Sequence, residues 1–174
     1  MPVYTIGHST RTIAELGALL GESAIEMVAD VRAIPRSRTN PQFNLDVLPH
    51  SLAELGIGYQ HFPELGGRRH HPRGAPPSPN TFWSNQSFRN YADYAATDAF
   101  NDGLTRLREL AEGERCAIMC SEAVWWRCHR RIISDYLLAR GVPVLHIMGP
   151  GKITPAVLTP SAHELRNGTL VYRT

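Results

Sequence analysis

The sequence predicts a single α/β domain whose mainly parallel sheet is covered by helices on both faces. Three observations predict it. The chain has 174 residues, the length of one domain, and a chain of that size buries roughly 70% of its unfolded surface without staples. Short β-branched or apolar runs alternate with stretches of helical periodicity, the pattern of crossovers between parallel strands. The residues directly after those runs are repeatedly His, Cys, Asp, Glu and Arg, where turns ordinarily favour Ser, Asn and Gly.

Taken in order, Val3–Ile6 reads as a strand ending at Gly7. Thr12–Leu20 places Ile13, Leu16, Leu19 and Leu20 on one helical face, with Gly21 as a stop. Ser9 is a candidate cap for that helix. Ile25–Val31 is a second strand, and Asn44 or Asp46 can cap a helix running to Leu55 before Gly56. Ile57–Phe62 is a third strand. Pro63 to Ser84 is a loop rich in Pro and Gly, of a length that is usually functional or mobile. Its His70–Asn80 portion, rich in Pro and Gly with few apolar anchors, is expected to be the most mobile part of the body and a candidate lid over the cleft. Ser87–Thr97 and Asp98–Ala111 read as helices, Arg115–Met119 as a fourth strand, Arg127–Ala139 as a helix stopped by Gly141, and Val142–Ile147 as a fifth strand. Residues 149–174 form a C-terminal extension of the 1–174 domain, with a short helix near Ser161–Leu165 and a last strand at Leu170–Tyr172.

Composition narrows the function classes. Hydrophobic residues make up 43% and charged residues 20%, which excludes an extended disordered or collagen-like chain. The net charge of +2 is too small to imply nucleic acid by itself. Almost all the basic residues are Arg, Lys152 being the lone Lys; codon composition accounts for such a bias, yet the planar Arg fork still binds phosphates bidentately. No apolar run approaches the ~20 residues of a membrane span. The N-terminus MPVYTIGHST lacks the basic flank and apolar core of a secretory signal. Cys116, Cys120 and Cys128 are an odd, clustered set and not a disulfide framework, so a reducing, cytoplasmic setting is expected.

In an open parallel sheet, ligands bind outside the carboxyl ends of the strands. Those ends carry Gly7-His8-Ser9, Asp30-Val31-Arg32, His61 with Glu64 and Gly66-Gly67-Arg68-Arg69, Cys120-Ser121-Glu122 leading into Arg127-Cys128-His129-Arg130-Arg131, and His146. The strings YTIGHS, DVRAIPRSR, NPQFN, GIGYQHFPELGGRR, FRNYADY and MCSEAVWWRCHRRIISDYLLARG resemble, in this order, the domain-of-unknown-function 488 family over roughly residues 3–147. The resemblance implies a site built on a Cys-x-Glu after a strand and a Cys-His-Arg at a helix start. Here these are Cys120, Glu122, Cys128, His129 and Arg130. It implies a site more than an activity.

Each candidate has a structural and a functional reading. Cys116 reads as core. Cys120 is core or site. Cys128, in the first turn of a helix among Arg residues, is a thiol of lowered pKa or a packed residue. Glu122 is a general acid/base or the partner that orders Arg32 or Arg130. His129 caps the helix, transfers protons, donates to an anion or binds a metal, and His8 is equally open. For zinc, Cys120-x7-Cys128-His129 converges poorly, because adjacent helical residues point about 100° apart. Cys120-Ser121-Glu122 matches half of the zinc-deaminase signature, and the other half is absent. No metal and no cofactor are expected.

Phosphate fits better. Arg32, Arg36, Arg38, Arg68, Arg69, Arg127, Arg130 and Arg131 cluster at the expected sheet edge with Phe43, Phe62, Phe82, Trp83, Trp125 and Trp126 nearby, the composition that stacks bases and pairs phosphates. The expectation is an enzyme acting on a nucleotide or nucleic-acid substrate. Glu122 is its acid/base, with Cys120, His129 and His8 beside it, and Arg32, Arg68, Arg130, Asp30, Glu64, Ser9 and Cys128 form the anion site. The alternatives are a non-catalytic nucleotide or nucleic-acid binding module, or a redox or metal protein using Cys120 and Cys128. His8, Asp30, Arg32, Glu64, Arg68, Cys120, Glu122 and His129 are expected to share one cleft.

Overall fold

The computed structural model describes residues 1–174. Five parallel strands form the body of the sheet: β1 (Val3–Gly7), β2 (Met27–Asp30), β3 (Gly58–His61), β4 (Cys116–Cys120) and β5 (Val144–Gly149). Their order is β3-β2-β4-β1-β5, and β6 (Lys152–Pro155) adds to the β5 edge in the antiparallel sense.

The sheet is buried on both faces, because side chains alternate along a strand and both sets are apolar. Cys116, Ile118 and Cys120 of β4 belong to one core cluster, and Ala117 and Met119 to the other. The second cluster is closed by α1 (Ile13–Glu22) and α2 (Leu48–Ala53), through Leu16, Leu19, Leu20, Leu48 and Leu52. The first is closed by α3 (Gln86–Tyr94), α4 (Asp98–Gly113) and α5 (Arg130–Ala139), through Tyr91, Phe100, Leu104, Ile132 and Ile133. The early helices therefore cover one face and the later ones the other. The change of face falls between neighbouring strands β1 and β4, where Gly7 pairs with Cys120. A crevice opens at such a switch point.

Local chemistry corrects several expectations. Thr12, not Ser9, caps α1: its hydroxyl accepts from Glu15 N, and the Glu15 carboxylate accepts from Thr12 N, a complete capping box. The cap expected at Asn44 or Asp46 is absent. Val47 occupies that position, and the Asn44 side chain instead accepts from Ser37 N at 2.7 Å. α5 starts at Arg130 rather than Arg127. A 3-10 turn over Trp125–Arg127 and an extended Cys128 precede it, while Trp125 stacks flat on His146 at 4.5 Å.

The helix expected at Ser161–Leu165 is strand β7 (Ala162–Glu164), paired with β8 (Leu170–Tyr172). The turn between them contains Asn167 and Gly168, the latter at φ 86°, a hairpin signal that outweighs the weak helical pattern. The extension completes the core: Leu170 and Tyr172 are buried, and the Tyr172 hydroxyl donates to Asp135 at 2.8 Å. The long loop is tied down at its far end, where Ser78 and the Asn80 amide both donate to Asp93 and Asn80 accepts from Tyr172 N.

Candidate active site

A cleft of about 530 Å³ opens at the carboxyl ends of β1, β2 and β4. Its lining includes His8, Arg32, Arg68, Cys120, Glu122, Cys128 and His129. The structure thus brings together seven of the eleven site residues expected from sequence.

Glycine lets the walls approach. A side chain on Gly7 would overlap the Glu122 carbonyl, and one on Gly67 would lie 2.6 Å from His129 Nδ1. With no Cβ at these positions, the Cys120–Glu122 turn seats directly on β1 and the His129 ring on the Gly66-Gly67 segment. His8 N and Ser9 N donate to the carbonyls of Cys120 and Ser121. Ser9 itself holds a left-handed conformation, φ 50°, and does not line the cleft.

His8 is a buried ring stacked on Phe43 at 4.3 Å. Its Nδ1–H donates to the Ser9 carbonyl at 2.8 Å, leaving Nε2 to face Arg32 at 3.4 Å. Burial, helped by the charge of Arg32, lowers its pKa from 6.5 to about 4, so the ring is neutral near pH 7. Arg32 is held from behind. Its guanidinium donates to both Asp30 oxygens and to the Phe43 carbonyl, and Tyr59 donates to the same carboxylate. Asp30 therefore lies beneath the cleft as the support of Arg32, not in its wall.

Two expected residues serve elsewhere. Glu64 pairs with Arg106 of α4 and is outside the cleft. Arg130 is no anion clamp: it is 1% exposed, and it donates to the Thr5 hydroxyl at 3.1 Å and the Glu122 carbonyl at 2.7 Å. It pins the turn that presents Glu122. Arg69 lies over the Tyr94 ring and Arg131 over Trp83. Phe43, Phe62 and Trp83 are core residues, so they offer no stacking face.

What remains open is informative. Glu122 is exposed, enters no ion pair and is the one carboxylate of the cleft. Arg36, Arg68 and Arg127 line the same space and likewise enter no ion pair. Asn40, Phe88 and Tyr91 complete the wall; sequence reasoning did not single them out. Their signal lay in the strings NPQFN and FRNYADY, which periodicity assigns only to a loop and a helix.

At the floor lie two thiols. Cys120 Sγ and Cys128 Sγ are 2.8 Å apart, and both are free. His129 donates from Nε2 to the Val31 carbonyl at 2.6 Å and turns Nδ1 towards Cys128 Sγ at 3.6 Å. No group of three or more His, Cys, Asp or Glu side chains is placed to hold a metal ion. No helix is long and apolar enough to cross a membrane.

Residues 12–137 match the family model described as Domain of unknown function DUF488. The match spans more than half of the chain, and the chain belongs to that family. No curated protein and no solved structure matches it.

Proposed function

We propose that this DUF488-family chain is an enzyme acting on a phosphate-bearing substrate of the nucleotide or nucleic-acid class, with Glu122 as general acid/base. One observation carries the reading: a lone carboxylate without an ion pair stands in a cleft with three arginines that also lack one. Arginines tied into the fold use their guanidinium on a carboxylate, a carbonyl or a hydroxyl, as Arg32, Arg69, Arg130 and Arg140 do, whereas Arg36, Arg68 and Arg127 line the cleft without any such bond. Free guanidinium forks lining a cleft suit phosphate oxygens, and Phe88 supplies an aromatic surface on which a base can stack. Glu122, held by its backbone and free at its carboxylate, is placed to move a proton to or from a bound oxygen or amine. Neutral His8 steadies Arg32 from the other side.

The test is a binding titration with AMP and with a ten-residue oligothymidylate, at low and moderate salt. Both ligands are expected to bind. Arg68→Ala and Arg127→Ala are expected to weaken binding by roughly 10-fold each and to flatten the salt dependence for the oligonucleotide. Absence of binding to either probe at low salt overturns the reading.

A further inference from the structure

Arg130 presents an electrostatic problem that its own bonds do not solve. The guanidinium is 1% exposed, no carboxylate touches it, its Nε has no partner, and its two bonds go to a neutral hydroxyl and a carbonyl. A buried, uncompensated charge costs several kcal/mol. The groups near it that can become negative are the Cys120 and Cys128 thiols. The two differ in their surroundings. Cys128 Sγ accepts from the Arg130 backbone N–H at 3.3 Å, at the start of α5, and faces His129 Nδ1. Cys120 Sγ lies between two acceptors for its one hydrogen, Cys128 Sγ at 2.8 Å and the Glu122 carbonyl at 3.6 Å. Proton placement follows: Cys120 keeps its hydrogen and Cys128 carries the charge that balances Arg130.

We infer that Cys128 and Cys120 form a dithiol–disulfide exchange site at the floor of the cleft, Cys128 being the attacking thiolate and Cys120 the resolving thiol, with small anionic disulfides as substrates. Both cysteines are lining residues of the cleft that Arg36, Arg68 and Arg127 also line, so a ligand drawn in by those arginines comes to the dithiol. Cys128 sulfur attacks one sulfur of the small disulfide, forms a mixed disulfide and expels the other half as a thiolate. Cys120 sulfur, already at 2.8 Å, then attacks Cys128 sulfur. Its proton passes to a departing thiolate, and a second small thiol leaves. Two protein cysteines are oxidised to one disulfide while one small disulfide is reduced to two thiols.

The surroundings agree with this division. Burial alone raises a thiol, but at Cys128 the hydrogen bond from Cys120, the neighbouring His129 ring and the charge of Arg130 outweigh it and hold the group well below its ordinary value. At Cys120, burial and its neighbour Cys128 hold the thiol well above. His146, facing Arg130 from β5, is kept neutral by burial and by that charge, its pKa lowered to about 4. Tyr91, facing from α3, is fully buried and stays protonated. Cys116, at the far end of β4, is pushed up to about 12 by burial and serves as an internal control. The exchange chemistry goes beyond the acid/base reading of Glu122 and stands without it.

The experiment treats the reduced full chain with glutathione disulfide at pH 6.5, traps free thiols and maps the cysteines by peptide mass spectrometry. Wild type is expected to give the Cys120–Cys128 disulfide with Cys116 unreacted. Cys120→Ser and Cys120→Ala are expected to stop at a glutathione adduct on Cys128, and Cys128→Ser is expected to give neither product. Alkylation of wild type by iodoacetamide at pH 6 is expected to run ~10-fold faster at Cys128 than at a free cysteine. A wild-type adduct that persists as it does in Cys120→Ser, an unreacted Cys128, or an alkylation rate that climbs with pH like an ordinary thiol overturns the inference. AMP binding is measured on the same reduced wild type, so that exchange without binding, or binding without exchange, tells this inference and the anion reading apart.

Discussion

Gly67 shows how one atom can matter at the residue scale. A Cβ there would lie 2.6 Å from His129 Nδ1 and 2.9 Å from its Cε1, and the ring is tethered on its other side to Val31. Gly67→Ala is expected to cost about 1–3 kcal/mol in urea unfolding and to displace His129, which a slower alkylation of Cys128 would report. Asp30 is the complementary case. It is the one carboxylate neutralising Arg32, so Asp30→Asn is expected to cost roughly 3–5 kcal/mol without touching the cleft wall. A melt within a degree of wild type would show that Arg32 has another partner. The cleft was legible in sequence because each strand end carries chemistry. The separate duties of Asp30, Glu64 and Arg130 were not, because which arginine meets which carboxylate is decided by register and packing, not by proximity along the chain.

Among the elements, boundaries depend on competing caps. Thr12 and Glu15 close α1 reciprocally, and Thr12→Ala is expected to cost about 1 kcal/mol, seen as a lowered melting temperature with AMP affinity unchanged. The strands were readable from β-branched runs, and α4 from Phe100, Leu104, Leu107 and Leu110. The antiparallel edge strand β6 was not, since all four of its residues are exposed and it has no apolar alternation to betray it. The β7–β8 hairpin matters more than its length suggests, because Leu170 and Tyr172 close one core cluster. Leu170→Ala is expected to cost ~2–5 kcal/mol; a loss below ~1 kcal/mol would mean that the extension is only draped on the domain.

For the whole molecule, the doubly covered sheet places its switch point between β1 and β4, and the burial that builds it also sets a pH dependence. His8 and His146 are buried and neutral, each with a pKa lowered from 6.5 to about 4. Between those two values the unfolded chain binds protons that the folded chain does not, so stability is lost as pH falls from 6.5 towards 4 and is fully present above. Each shift is worth roughly 3 kcal/mol at its limit. Urea unfolding at pH 7 and pH 4.5 is expected to show a marked loss at the lower pH, reduced in a His146→Gln variant. Equal stability at the two values would mean that both rings ionise freely in the folded protein.

The most direct measurement is made on Glu122→Gln, which keeps the side chain's size and removes its charge and its proton. Because Glu122 enters no ion pair and is exposed, the variant is expected to melt like wild type. It is expected to bind AMP and the oligonucleotide as well or more tightly, since a negative charge leaves a cleft proposed to receive anions. Its turnover of any nucleotide that wild type converts is expected to fall by ~10²–10⁴-fold. A lowered melting temperature together with weakened ligand binding and no separate loss of rate would show that Glu122 serves the fold, and would contradict the assignment of this cleft as an acid/base active site.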